Sequence, residues 1–173
     1  MRVIEESRLA DALAAWGKHE GVGRLELPES EFEGREGVLN SVDIAVFHRS
    51  PLVWRILVAR PVHILLVEID ANDVPLLRLA DSRTIEKWKL AAPGDQEGFQ
   101  HYRELAENDE RVEGPLVCAA RLDGADGFVP PVVVFDGWHR VAAWTDQLEN
   151  DDYPIRAYLI LTQERVPLLE PSI

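Results

Sequence analysis

Cysteine is all but missing from this chain. Cys118 stands alone among 173 residues, which excludes an intramolecular disulfide and a zinc-type cysteine cluster. Its apolar surroundings, Pro115-Leu116-Val117-Cys118-Ala119-Ala120, mark it as a buried structural thiol. Long apolar runs are missing too. No stretch reaches the roughly 18–20 apolar residues of a membrane span, and charges through the first eight residues replace the apolar core of a leader. The expectation is a cytoplasmic protein with no membrane partner. Basic residues are scarce, 18 Lys and Arg against 31 Asp and Glu, for a formal charge of −13. The deficit is uneven: residues 1–60 hold 10 acidic and 8 basic side chains, and residues 61–173 hold 21 and 10. Non-specific affinity for nucleic acid is mostly phosphate neutralisation by Lys and Arg, so DNA is disfavoured as a partner. Histidines at metal-ligand spacing are lacking. His48 and His63 are isolated, and no metal site is expected from them.

What is present is a hydrophobic content of 46%, enough for one well-buried globular unit. Leu9, Leu13 and Trp16 recur at helical spacing within residues 5–20, with Ser7 as a cap, and predict an amphipathic helix. Residues 21–40 are rich in Gly, Glu and Ser and read as a loop with a short strand at 24–27. Two β-rich stretches, 53–59 and 62–69, are divided by Arg60-Pro61. Glu68 and Asp70 stand two apart near the end of the second, on one face if the chain is extended. Asp81-Ser82-Arg83-Thr84 offers a cap for a helix to about residue 91, with Ile85, Trp88 and Leu90 as its apolar contacts. A further helix is predicted at 99–108. The stretches 116–121 and 132–135 predict two strands of a hairpin around a Gly/Asp loop that lacks the ligand series of a calcium site. The last predicted strand spans 155–161.

The most telling segment is Val132-Val133-Val134-Phe135-Asp136-Gly137-Trp138-His139-Arg140-Val141-Ala142-Ala143-Trp144. It reads as a buried strand, a sharp turn at Gly137 and a helix start, an arrangement that aims free N–H groups and the positive dipole end at the turn. His139 and Arg140 oppose that dipole where charged, at about 0.3–1 kcal/mol each, and a bound anion would resolve the conflict. A plainer reading stands beside it: Asp136 N-caps the helix, Gly137 relieves the turn, and His139 and Arg140 are solvated. Trp138 is a candidate to stack on a base or cover the pocket, and equally a packing residue.

Asp136-Gly137-Trp138-His139-Arg140 resembles the Asp-Gly-x-His-Arg signature of the ParB/sulfiredoxin superfamily. The order of strands and helices across residues 62–162 fits it as well. The resemblance implies an α+β fold, a mixed sheet with surrounding helices, here with a helical N-terminal addition. It divides the chain into accessory residues 1–61 and a ParB/sulfiredoxin-like unit at 62–173. It further implies a nucleotide-phosphate pocket, since the superfamily includes a chromosome-partition CTPase, an ATP-dependent sulfinic acid reductase and a free-serine kinase. Gly137, His139 and Arg140 would line the phosphates, and Asp136 would hold the turn or help place a metal. Trp138 stands where sulfiredoxin has its catalytic cysteine, so sulfiredoxin activity is not expected. The twelve residues after Leu161 leave no room for the helix-turn-helix unit of partition proteins, and the expectation is a stand-alone domain.

Two functions follow as expectations. One is a nucleotide-binding protein that hydrolyses a nucleoside triphosphate, accompanied by Mg²⁺, or transfers its phosphate to a small-molecule acceptor, with Glu68 or Asp70 as base. The other is a non-catalytic acidic protein of immunity, antitoxin or phage-inhibitor type that keeps the fold and binds a basic protein partner.

Overall fold

Val132, Val133, Val134 and Phe135 alternate between two separate hydrophobic cores, which requires a strand inside a sheet covered on both faces. The computed structural model describes residues 1–25, 61–91, 103–104, 106–107, 111–124 and 127–164. Its elements are β1 (Arg2–Ser7), α1 (Leu9–Leu25), β2 (Pro61–Ile69), a 3-10 helix (Ala71–Leu76), β3 (Leu77–Leu79), α2 (Ile85–Ala91), β4 (Leu116–Asp123), β5 (Gly127–Asp136), α3 (Trp138–Gln147) and β6 (Ile155–Thr162). The six strands form one mixed sheet in the order β1-β2-β6-β4-β5-β3. The β3–β5 and β4–β6 pairs are parallel and the other pairs antiparallel. The α+β class expected from the sequence is therefore present.

One face of the sheet, with Val67, Cys118, Val132, Val134 and Leu159, packs against Val141–Trp144 of α3 and Ile85 and Trp88 of α2. The other face, with Ile64, Ala119, Val133, Phe135 and Ile160, packs against Ala12 and Trp16 of α1. Leu9 and Leu13 join that second cluster, so the predicted apolar stripe meets the sheet. Trp144 is fully buried, and its indole N–H donates to the Tyr153 carbonyl at 2.9 Å.

Several local expectations differ from what is observed. The N-terminal helix does not start at residue 5: residues 2–7 form an edge strand on β2, and the helix begins at Leu9. The first five residues of that strand are exposed, so no apolar alternation announces it, and pairing with β2 decides its conformation. Asp11 receives the Arg8 N–H and guanidinium at the helix start, where a Ser7 cap was expected. Helix α1 runs on through residues 21–25, which were expected to be loop and the start of a short strand, because no proline interrupts it before Pro28. Leu90 is 81% exposed instead of packed. The 3-10 helix and the three-residue β3 were not foreseen, being too short for a periodic signal. The strand expected at 53–59, His48, the loop at 26–40 and most of the helix expected at 99–108 lie outside the described residues. No described helix is long and apolar enough to cross a membrane.

Replacing Trp144 with Phe should leave the Tyr153 carbonyl without its donor and open a void against β6. A loss of about 2–4 kcal/mol in urea unfolding is expected, with the m-value unchanged.

Candidate functional site

β5 is the inner strand whose C-terminal end delivers the chain to the motif. Val117 of β4 stands opposite Asp136 in the ladder. The C-terminal end of β3, the N-terminal end of β6 and the C-terminal end of β2 share that edge of the sheet. The Asp136–Arg140 turn therefore opens where four other strand ends gather, as ligand sites in sheet proteins often do.

Gly137 is the N-cap of α3 with φ 91° and ψ 30°, a left-handed conformation that L side chains rarely adopt. A Cβ there would also lie 2.5 Å from Leu116 Cδ2 and 3.2 Å from Arg140 Nη2. Glycine is thus required by backbone and by space. Val141 N–H bonds the Gly137 carbonyl at 2.8 Å, which closes the first helical turn. No side chain caps the N–H groups at its start. Asp136, the residue expected to do so, instead accepts Arg140 Nη2 at 2.8 Å and the Gly137 N–H. The solvated alternative for Arg140 fails: its side chain is 12% exposed, folded back beneath the turn. Arg140 Nη1 donates to the Pro115 carbonyl at 2.9 Å, while its buried Nε has no hydrogen-bond partner.

Burial raises the Asp136 carboxyl above its usual range, against the opposing pull of Arg140 and the Gly137 N–H. Burial and the nearby Asp136 charge likewise push the buried Cys118 thiol upward. The His139 ring meets Trp88 of α2 edge-on at 5.4 Å. Trp138 donates its indole N–H to the Val134 carbonyl at 3.0 Å and packs against both cores. Packing is the role these contacts describe.

The two carboxylates singled out as bases each have a partner of their own. Glu68 accepts Arg2 Nε at 2.9 Å, and in the sheet order β6 and β4 separate its strand from β5, a gap of roughly 14 Å at the usual strand spacing. Asp70 caps the 3-10 helix, accepting Asn72 N–H at 2.8 Å while its own N–H bonds Asp73. Arg83 is held by Asp81. Among the described residues no three His, Cys, Asp or Glu side chains are grouped to hold a metal ion.

A cavity of about 480 Å³ opens at the same sheet edge, between the ends of β2 and β6 and the segment before β4. Glu68, Arg111, Glu113, Tyr153 and Arg156 are among its lining residues. Apart from Glu68, these were not singled out in the sequence. The one available signal was Arg156, a lone charge between Ile155 and Ala157 at the start of a buried strand. No protein-family model, no curated protein and no solved structure matches the chain.

Two outcomes follow from the turn. Gly137→Ala should cost at least about 2 kcal/mol in thermal or urea unfolding, since it adds left-handed strain to a clash with the fully buried Leu116. The Asp136 carboxyl titrates higher in the folded chain than its ordinary 3.8, so the native state binds the extra proton and loses stability as pH rises through that window. Against an Asp136→Asn reference, wild-type stability should therefore fall between about pH 4 and the folded-state value. A flat difference would show that Arg140 fully offsets burial.

Proposed function

We propose that the chain is a nucleotide-binding protein of the ParB/sulfiredoxin type, whose phosphate-binding element is the start of α3. The carrying observation is that Gly137 starts α3 with no side-chain cap, although an aspartate directly precedes it. The first-turn N–H groups of a helix, together with the positive end of its dipole, suit a phosphate group. The resemblance in Asp136–Arg140 supports this reading, as does the mixed sheet that carries the motif at a strand end.

In this reading Arg140 acts by positioning. Its guanidinium holds the Asp136 carboxylate and partly neutralises the negative charge that would repel a phosphate at the turn. The high-lying Asp136 carboxyl works in the same direction. A nucleoside triphosphate would bring Mg²⁺ on its own phosphates, because the described carboxylates form no cluster for the ion. Hydrolysis or transfer to a small-molecule acceptor would then need a base other than Glu68 and Asp70, both of which have structural partners.

Those same engagements favour a second reading. With Arg140, Glu68 and Asp70 all tied into the scaffold, the chain is also suited to be a non-catalytic acidic protein that binds a basic partner through its −13 surface.

The deciding experiment titrates ATP, CTP, GTP, ADP and pyrophosphate, with and without Mg²⁺, while following tryptophan fluorescence, melting temperature and backbone amide NMR shifts. A saturable response with its largest shifts at the amides of residues 138–140 is expected. Arg140→Ala, verified as folded by circular dichroism, should weaken it by at least about tenfold, because the released Asp136 carboxylate competes for the same N–H groups. Absence of any response would overturn the nucleotide reading in favour of the acidic binding protein.

A further inference from the structure

The cavity beside the motif has a built wall. Val112 N–H donates to the Tyr153 hydroxyl at 2.8 Å and to Gln147 Oε1 at 3.1 Å, and the Tyr153 hydroxyl donates to Gln147. Three residues on, the Pro115 carbonyl takes Arg140 Nη1. Gln147 and Arg140 lie near opposite ends of α3, so one helix grips the 112–115 segment at both of its ends. Between these grips Gly114 presses on β6 so closely that a Cβ would lie 2.3 Å from the Arg156 carbonyl. The segment and the strand are thus held side by side, and the space between them is shaped before anything enters it.

Its charges do not cancel internally. Glu68 is paired with Arg2, and Arg111 with Asp151 at 2.8 Å while lying over the Tyr153 ring at 4.8 Å. Glu113 and Arg156 remain, one anion and one cation on the same cavity, without a hydrogen-bond or ion-pair partner among the described residues. They do not pair with each other. Pro115 and Pro154 add apolar surface to the lining, while Val112 and Ile155 turn their side chains into the core.

We propose that this cavity is a binding site for a small zwitterion with an apolar body, such as a free amino acid with an apolar side chain. Arg156 takes the carboxylate, where a planar guanidinium can donate two parallel hydrogen bonds. Glu113 takes the ammonium group, and the apolar body lies along Pro115 and Pro154. A volume of about 480 Å³ is within the usual range for small-molecule sites, roughly 300–1,000 Å³, and leaves room beyond the charged ends. A ligand with one charge meets only one of Arg156 and Glu113, so a molecule carrying both charges gains the more contacts here. The site stands apart from the nucleotide reading, since neither Glu113 nor Arg156 belongs to the motif.

The test is calorimetry on the full chain with leucine, valine, methionine and phenylalanine, each beside its amide and its N-acetyl derivative. Saturable binding of at least one free amino acid is expected, with both blocked forms weaker by about tenfold or more. Arg156→Ala should abolish the preference for acid over amide, and Glu113→Gln the preference for free amine over N-acetyl. Both residues are exposed and unpartnered, so melting temperatures should stay within about 2 °C of wild type. No saturable heat up to roughly 10 mM would overturn the proposal, and so would equal binding of blocked and free forms or indifference to both substitutions. Nucleotide titrations on the same two variants separate the readings: an unchanged nucleotide response alongside lost amino-acid binding assigns the failure to the cavity alone.

Discussion

Arg140 carries a positive charge into the interior, and the whole motif end of the sheet is arranged around neutralising it. A guanidinium that is 12% exposed needs a counter-ion and acceptors, because an unpaired buried charge costs several kcal/mol. Asp136 supplies the charge and Pro115 a carbonyl. The fold-back is sterically allowed because residue 137 has no Cβ, and that glycine is also the residue able to take φ 91°. One requirement thereby selects the residue type at 136, 137 and 140 together. The start of α3 is left uncapped as a direct result.

Helix α3 links this turn to the neighbouring cavity mechanically. Its N-terminal half holds Pro115 through Arg140, its C-terminal end holds Val112 through Gln147, and its centre is sunk into the sheet at Val141–Trp144. Small residues at 142 and 143 let the helix approach closely, and both are fully buried. A shift of α3 would therefore be felt at the turn and at the cavity wall together. The two places share one helix at one sheet edge, and side chains from distant points in the chain meet there.

The electrostatics of the protein work on two length scales. A charge of −13 repels anions at a distance, but at physiological ionic strength that field is screened within about 8 Å. Closer in, the contact surface is set by local groups: backbone N–H groups at the turn, and Arg156 at the cavity. An acidic protein can in this way hold an anionic group in a small site while its surface as a whole favours basic partners.

Some of this was legible in the residues. The run 132–135 announced a buried strand, Gly137 a sharp turn, and the Leu9/Leu13/Trp16 spacing a packed helix, because each depends on local periodicity or on one residue's conformational range. The hairpin of β4 and β5 followed from its Gly/Asp loop. The direction of Arg140 was not legible, since it is set by Pro115, 25 residues away in sequence. Nor was the edge strand β1, whose exposed residues carry no pattern, nor the separation of Glu68 from the turn, which is a matter of strand order. By itself the sequence determined which segments are buried and where the chain must turn, because burial pattern and backbone freedom are properties of neighbouring residues. The tertiary structure alone decided that Arg140 points inward, that the helix start is open, and that Glu113 and Arg156 share a cavity. Those depend on which strands become neighbours, and pairing between distant segments is chosen by the packing of the whole.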